Sequence, residues 1–408
     1  MKSEDLNVLV LNCGSSSLKY KIIKMPEEKE ILWGEAERIG IKTAGKPFIT
    51  HVTGTKRRVI EAELNSLDDA FSKALELIKE DTGEDPSIYF DIFAHRYVHP
   101  GKFFSSTSRI LGKDIGKLRK TLELAPIHNP SSFSLIEKCS TDYTAVPQYA
   151  VFDTTFHKTI PEENRTYALP VKMIKKYDLH RVGFHGISHK YVMEEACRFL
   201  GVDVKTQKII SCHLGTGGAS VCAIKDGKSI FSSMGFTPLE GLIMNTRSGD
   251  LDMGYVLNLM YSRKLSIDET EKILNKKSGI LGVYAQSSDL RDVMKNLGKD
   301  VKADIAFSMY IKRIRKYLGF YSLLLKKPDI MIFTDSIGIS SPLVREQACA
   351  NLEFLGIRLD KDKNWNYPGG IIDAAGPESE CRILILPTNE EVMIAREAYR
   401  RHKNDICH

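Results

Sequence analysis

The stretch Cys212-His213-Leu214-Gly215-Thr216-Gly217-Gly218-Ala219-Ser220 constrains this chain more than any other. It joins two runs of β character, Lys208-Ile209-Ile210-Ser211 before it and Val221-Cys222-Ala223-Ile224 after it. A turn rich in glycine leaves backbone N–H groups unshielded, so an anion can approach them closely. A near-echo stands at the N-terminus, where Val8-Leu9-Val10-Leu11 runs into Asn12-Cys13-Gly14-Ser15-Ser16-Ser17 and then Leu18-Lys19-Tyr20-Lys21-Ile22-Ile23. The N-terminal copy is not a Walker loop, which needs GxxxxGK[ST] and a following helix. Two copies of one phosphate-cradling device point to duplicated halves that face each other across a cleft.

A chain of 408 residues is long for one core, so two domains are expected. With 42% hydrophobic and 27% charged residues it has the composition of a globular protein. The net charge of +6 is spread over interleaved acids and bases. The densest basic cluster, Lys312-Arg313-Ile314-Arg315-Lys316, reads as the solvent face of a helix, because no aromatic or motif context supports nucleic-acid binding. The eight cysteines form no CxxC pair. That argues against a zinc site or disulfide framework and for small core residues in a reducing compartment. Residues 1–5 lead straight into a strand without the apolar core of a signal peptide, and no run of about eighteen apolar residues is present to span a membrane. The expectation is a cytoplasmic protein with neither membrane nor nucleic acid as partner.

Along the chain, apolar strands alternate with amphipathic helices, which argues for an α/β fold. Leu67, Ala70, Phe71, Ala74, Leu75 and Ile78 fall at helical spacing behind a Ser66 N-cap with Asp69 three residues on. A strand carries Arg96 within an apolar run, where a guanidinium needs an anionic partner; on spacing alone a structural carboxylate is the better candidate. Asp153 ends a second strand, a place where ligand groups gather in α/β sheets. A short strand-like segment ends at Gly183-Phe184-His185-Gly186, whose flanking glycines favour an exposed imidazole. Arg247 sits in a small-residue turn as a further anion clamp. Helices are expected over 253–275 and 300–325, and Ser287-Ser288-Asp289-Leu290-Arg291-Asp292 reads as a capped helix start. A buried strand over 329–334 leads to a glycine turn at Gly338, and a last strand ends at Pro387-Thr388-Asn389-Glu390-Glu391 before a helix.

Two arginines, a histidine and two acids, Asp153 and Glu390, are what phosphoryl transfer calls for. Its transition state spreads negative charge over equatorial oxygens, so positioning and electrostatic stabilisation dominate. Magnesium prefers one or two carboxylates together with phosphate and water, which one Asp and one Glu can supply.

These motifs carry a resemblance. Residues 12–19, His95-Arg96, 124–130, Asp153-Thr154 with Phe156-His157, Gly183-Phe184-His185-Gly186, His213-Leu214-Gly215, 235–241, Thr246-Arg247 and 387–391 resemble the acetate kinase family, nearly end to end and in order. The resemblance implies a duplicated, two-domain α/β fold of the acetate and sugar kinase/Hsp70/actin (ribonuclease H-like) type, with the active site in the interdomain cleft. The N-terminal domain would comprise 1–152 completed by 387–408, and the C-terminal domain 153–386. The family is usually a homodimer. By the same resemblance Arg96 and Arg247 would hold the carboxylate and the transferring phosphoryl group. His185 would stabilise the transition state, and Asp153 would be the catalytic acidic residue near the metal. Asn12 and Glu390 would support Mg2+, with Mn2+ as a substitute. Lys19, His213, Leu214, Gly215, Thr216, Gly217, Asp289, Leu290, Arg291, Ser336, Ile337, Gly338, Ile339 and Ser340 would contact the phosphoryl donor. Val98, Leu124, Phe184 and Pro238 would line the acyl pocket.

Departures from the family pattern cluster on the donor side. The usual His-Leu-Gly-Asn-Gly reads His213-Leu214-Gly215-Thr216-Gly217. The usual Gly-Ile-Gly-Glu-Asn reads Ser336-Ile337-Gly338-Ile339-Ser340, preceded by Asp335. These changes resemble the amoebal acetate kinase that uses pyrophosphate and phosphate in place of ATP and ADP, so both donors are left open. Asn245 and Met253 are further departures. The reaction implied is reversible, magnesium-dependent phosphoryl transfer to acetate. The alternatives are a propionate or butyrate kinase and a non-catalytic actin-like nucleotide-binding protein.

Overall fold

Two antiparallel hairpins, each continued by parallel strands, organise the chain. The structure is a computed structural model and describes residues 5–41 and 45–407; residues 1–4, expected to lead into a strand, lie outside the described residues. The chain divides into two units, Met1–Thr155 with Asn389–His408, and Phe156–Thr388.

In the first unit, strands β1 (Leu6–Cys13), β2 (Ser17–Met25), β3 (Lys29–Glu37), β4 (Phe48–Thr53), β5 (Lys56–Glu61), β6 (Ile92–Tyr97), β7 (Ser108–Arg109) and β8 (Gln148–Phe152) form one sheet in the order β5-β4-β3-β2-β1-β6-β8-β7. Strand β1 turns back on β2 with Cys13 opposite Leu18, and the turn closes through Gly14 N–H donating to Ser17 O at 2.8 Å. On its other edge β1 runs parallel to β6, and β6 parallel to β8. Helix Leu67–Thr82 starts at a capping box between Ser66 and Asp69, stops at Gly83 in a left-handed conformation, and buries Phe71, Ala74 and Ile78. The C-terminal helix Glu390–Cys407 packs on β1, β2 and β6.

The second unit repeats the plan. Strands β9 (Lys208–Leu214), β10 (Ala219–Lys225), β11 (Lys228–Ser232), β12 (Ile330–Thr334), β13 (Ile372–Asp373) and β14 (Arg382–Ile385) lie in the order β11-β10-β9-β12-β14-β13. Here β9 and β10 make the hairpin, and β12 runs parallel to both β9 and β14. The run β3-β2-β1-β6-β8 and the run β11-β10-β9-β12-β14 are therefore the same motif, and this is the duplication the two glycine turns pointed to. No helix among the described residues is long and apolar enough to cross a membrane.

The structure corrects four expectations. The 253–275 helix is two helices, Met253–Ser262 and Ile267–Lys276, because Ser266 and Glu269 form a capping box that begins a new one. The segment before His185 is not a strand; it makes only an isolated bridge, Thr166 with His180. After β12 the chain forms a short helix, Asp335–Ser340, in which Gly338 is an interior residue rather than a turn. The basic cluster in helix Val301–Leu325 does not simply face solvent. Arg313 donates to Gly241 O at 2.8 Å, Arg315 to the carbonyls of Gln347 and Ala348 at 3.2 Å, and Lys316 pairs with Asp250 at 2.7 Å.

Several histidines are buried in the neutral form. Burial pulls His95, bonded to Gln148 at 2.9 Å, down to about 4, and lowers His51 and His189 as well. An unfolded histidine titrates near 6.5, so the unfolded chain takes up these protons first. Stability is therefore complete above about pH 6.5 and is lost as pH falls, with His95 alone contributing roughly 3 kcal/mol by pH 4. Urea midpoints measured at pH 7.5 and pH 5.5, above most carboxylate titration, are expected to show a clear drop; equal midpoints would contradict the neutral assignment.

Candidate active site

Three parallel strand ends of the first unit each deliver one of the candidate side chains. Asn12 lies near the end of β1, Arg96 near the end of β6, and Asp153 just beyond β8, its N–H donating to Tyr97 O at 2.9 Å. Arg96 Nη2 donates to Asp153 Oδ2 at 3.0 Å and Nη1 to Asn12 Oδ1 at 3.3 Å, while Nε lies 3.7 Å from Glu390 Oε2. The carboxylate partner that Arg96 required is thus Asp153 together with Glu390. Burial works against the Arg96 charge, but the two carboxylates outweigh it and hold the guanidinium firmly protonated. Asp153 is almost fully buried, and its second oxygen, Oδ1, has no hydrogen-bond partner among the described residues. A buried carboxylate oxygen without a donor calls for an occupant. Glu390 stands in the first turn of its helix, where negative charge is favoured. Glu391, which the motif analysis passed over, accepts from Asn12 Nδ2 at 3.4 Å.

Lys19 is half exposed, 3.5 Å from Glu35, at a depression of about 250 Å³ that Trp33 and Glu391 also line. Val98 is buried and Leu124 is 42% exposed. The loops bearing these two are tied by Asn129, whose Nδ2 donates to His99 O at 2.9 Å and to Thr121 O at 2.7 Å.

In the second unit the β9–β10 turn is the anchor. Gly215 N–H donates to Gly218 O at 3.0 Å. A Cβ on Gly218 would stand 3.3 Å from the His185 ring and 3.8 Å from Arg247 Nη1, so this glycine, the histidine and the arginine converge. His185 is half-buried rather than exposed, and caps helix Gly186–Leu200 in a left-handed conformation, φ 56°. Arg247 is half-buried and makes no ion pair among the described residues; its one side-chain contact is Met244 Sδ at 3.6 Å, and burial alone lowers its pKa. Gly279 holds the Arg247 loop in place, since a Cβ there would lie 2.2 Å from Met244 O.

Behind His185 runs a hydrogen-bonded array that the motif analysis missed. Ser220 Oγ is 2.9 Å from both His185 Nδ1 and His189 Nε2, and His189 Nδ1 is 2.9 Å from Ser211 Oγ. The His213 ring lies 4.2 Å from that of His185. His213 Nδ1 is 2.9 Å from Ser188 Oγ, which is 2.8 Å from Thr388 Oγ1, and His213 Nε2 is 3.0 Å from Asp335 Oδ2. The one available signal was spacing: His185 and His189 are four apart on a helix, and Ser211 and His213 alternate on β9.

Of the remaining donor-side residues, Leu214, Gly215, Thr216 and Gly217 belong to the turn and its strand, and Ser336, Ile337, Gly338, Ile339 and Ser340 to the short helix beside it, joined by Thr216 N–H donating to Ser336 Oγ at 3.0 Å. Asp289 caps the helix that Leu290 begins and pairs with Arg291 Nε at 3.0 Å. Phe184 is buried and Pro238 half-buried. Met253 is the first residue of its helix behind the Asp252 cap, a position that suits proline and tolerates methionine. Nothing in the structure explains Asn245.

A sequence profile of the acetokinase family matches residues 7–396. The chain belongs to the acetokinase family. Among its relatives, the acetate kinase of Caldicellulosiruptor bescii is 43% identical over 97% of this chain and 99% of its own length. Among solved structures, Porphyromonas gingivalis acetate kinase superposes with a TM-score of 0.89 at 37% identity, covering 97% of this chain and 99% of that one. A propionate kinase from Francisella tularensis superposes with a TM-score of 0.88 at 34% identity, again over 97% and 99%. As an acetokinase the chain is a phosphotransferase with a carboxyl group as acceptor, and its duplicated α/β fold is that of the solved acetate and propionate kinases.

Proposed function

We propose that this acetokinase transfers a phosphoryl group reversibly between a polyphosphate donor and acetate, forming acetyl phosphate by direct in-line attack of the carboxylate. The observation that carries the reading is Arg247: a half-buried guanidinium with no carboxylate partner among the described residues, converging with His185 on the glycine turn. Such a cation is poised for an anion, and preorganised charge at the developing transition state is the largest lever in this chemistry. Arg96 acts with Arg247 on the carboxylate and the transferring group. Acetate, with glutamate's pKa of about 4.3 as a guide, is already ionised at neutral pH, so no general base is required.

The first unit's residues fit a divalent ion. Asp153 Oδ1 is orphaned, and Asn12 and Glu390 stand on the same Arg96 side chain. A single Asp and a single Glu match the ligand habit of Mg2+ beside phosphate, with Mn2+ as a substitute. Bound there, the ion would neutralise phosphate charge; Asp153, Asn12 and Glu390 would hold it.

The acyl group is assigned to Val98, Leu124, Phe184 and Pro238. The likeness to a propionate kinase favours propionate as a side substrate, since one methylene in an apolar pocket discriminates by only about 1–3 kcal/mol. The altered residues Thr216, Ser336, Ile339 and Ser340 support pyrophosphate as donor in place of ATP. The presence of Arg96, Asp153, His185, Arg247 and Glu390 speaks against a non-catalytic actin-like role.

Homodimer formation is supported by helix Met253–Ser262, which buries none of its residues although Met253, Tyr255, Leu257 and Tyr261 are apolar, with Tyr261 90% exposed. A second copy would cover a patch of this kind. Sedimentation is expected to give a dimer for the natural chain and a monomer for Leu257→Glu combined with Tyr261→Glu; an unchanged dimer would place the interface elsewhere.

The function is tested by acetyl phosphate consumption with magnesium, offering ADP or inorganic phosphate as acceptor. Turnover with either supports the reading, and turnover with neither sinks it.

A further inference from the structure

The anion-binding turn has two unlike ends. At Gly218 it faces His185 and Arg247, both able to present positive charge or N–H donors. At Gly215 and Thr216 it is already engaged from within the protein. The Thr216 N–H donates to Ser336 Oγ at 3.0 Å, so that amide is taken. The Asp335 carboxylate lies so close under Gly215 that a Cβ there would stand 2.2 Å from Oδ2. Asp335 reaches that position through a left-handed backbone, φ 63°, one of the few side chains that tolerate it. It is held by His213 Nε2 at 3.0 Å and by the Ser336 N–H at 2.6 Å. At the other end of the same short helix, the fully buried Arg345 donates to Gly338 O at 2.8 Å and to Ile339 O at 2.7 Å. The helix carrying Asp335 and Ser336 is thereby held at both ends, by the turn at one and by Arg345 at the other.

The two ends differ in what they can accept. An amide that already has a hydroxyl partner must give it up to bind a phosphate, and a fixed carboxylate repels one through space. A donor whose charge ends near Gly218 meets only the favourable end. A donor whose leaving group continues over Gly215 and Thr216 brings further phosphate charge towards Asp335.

We propose that Asp335 and Ser336 are specificity-determining residues that restrict the 215–218 turn to a short phosphoryl donor, one whose leaving group is inorganic phosphate rather than a nucleoside diphosphate. The inference rests on the phosphotransferase reading and names the donor class of that same site. His213 serves as a positioning residue, its ring nitrogen holding the Asp335 carboxylate while Ser188 holds the opposite nitrogen.

The test uses the full chain and the variants Asp335→Asn, Asp335→Gly, Ser336→Gly and Asp335→Gly with Ser336→Gly. Asparagine keeps the shape and left-handed tolerance while removing the charge; glycine suits the backbone and removes both. Two readouts are taken with magnesium present: KM for ADP and for phosphate with acetyl phosphate as co-substrate, and equilibrium binding of ADP and of pyrophosphate by calorimetry. The natural chain is expected to prefer phosphate and pyrophosphate. Each single variant should shift the ADP-to-phosphate preference towards ADP by about tenfold, equivalent to about 1.4 kcal/mol, and the double variant by more. Preference for ADP in the natural chain, or a ratio unmoved across all four variants, overturns the proposal. If no acceptor supports turnover, the phosphotransferase reading fails, and the calorimetric ratio still decides whether Asp335 and Ser336 discriminate between the two ligands.

Discussion

Replacing Arg247 with lysine is expected to lower kcat/KM by about 10²–10³-fold, the range typical of losing one preorganised electrostatic donor, without lowering the melting temperature. The two halves of that statement have one cause. Arg247 has no ion-pair partner among the described residues, and burial lowers its pKa with nothing to offset it. The folded protein therefore bears an uncompensated, half-desolvated cation whose natural partner is the ligand. Lysine keeps a charge but loses the planar fork that matches two phosphate or carboxylate oxygens at once. Alanine should lose more activity and gain slightly in stability. Arg96→Ala provides the contrast: it strands Asp153 and Glu390 without their shared cation and should lower the melting temperature as well as activity. Steady-state kinetics and thermal melts on the three proteins decide the matter. A lysine variant within a few-fold of the natural chain would mean that a point charge suffices at this position, and a lowered melting temperature would mean that Arg247 has a structural partner.

The split between what the sequence disclosed and what it concealed follows physical range. Short-range patterns were legible: the glycine turn between β9 and β10, its echo between β1 and β2, the Ser66 capping box, and the apolar run placing Asp153 at a strand end. Each is set by a few neighbouring residues. The pairing of Arg96 with Asp153 and Glu390 depends on two strands and a helix far apart in sequence, so spacing offered only an unspecified carboxylate. The array Ser211, His189, Ser220 and His185 was hidden for another reason: its members sit on a helix and two strands of different period, and only their packing makes them neighbours. One helical reading failed where a local cap overrode apolar periodicity, at Ser266, and the glycine turn read at Gly338 is the interior of the short Asp335–Ser340 helix. The donor-side departures could be seen in the sequence as odd residues. That Ser336 takes the Thr216 amide and Asp335 lies under Gly215 could not.

Asp153→Asn is expected to reduce turnover by about 10³-fold while leaving the acidic limb of the residual pH profile where it was. One carboxylate oxygen, Oδ2, is committed to Arg96 Nη2 at 3.0 Å, and the other, Oδ1, is buried without a donor. The attacking acetate has no proton to give up at neutral pH. On the proposed reading the work of Asp153 is to hold charge near the transferring phosphoryl group, through a divalent ion or an ordered water at Oδ1. Asparagine keeps an oxygen but removes the charge, and in one orientation sets an amide N–H against Arg96 Nη2. The concentration of Mg2+ or Mn2+ giving half-maximal residual activity should rise about tenfold, as the loss of one charged contact implies. A pH series at saturating metal separates the two roles. If the acidic limb moves in the asparagine variant, Asp153 takes a proton in the reaction; if the limb stays and the metal requirement rises, its role is electrostatic.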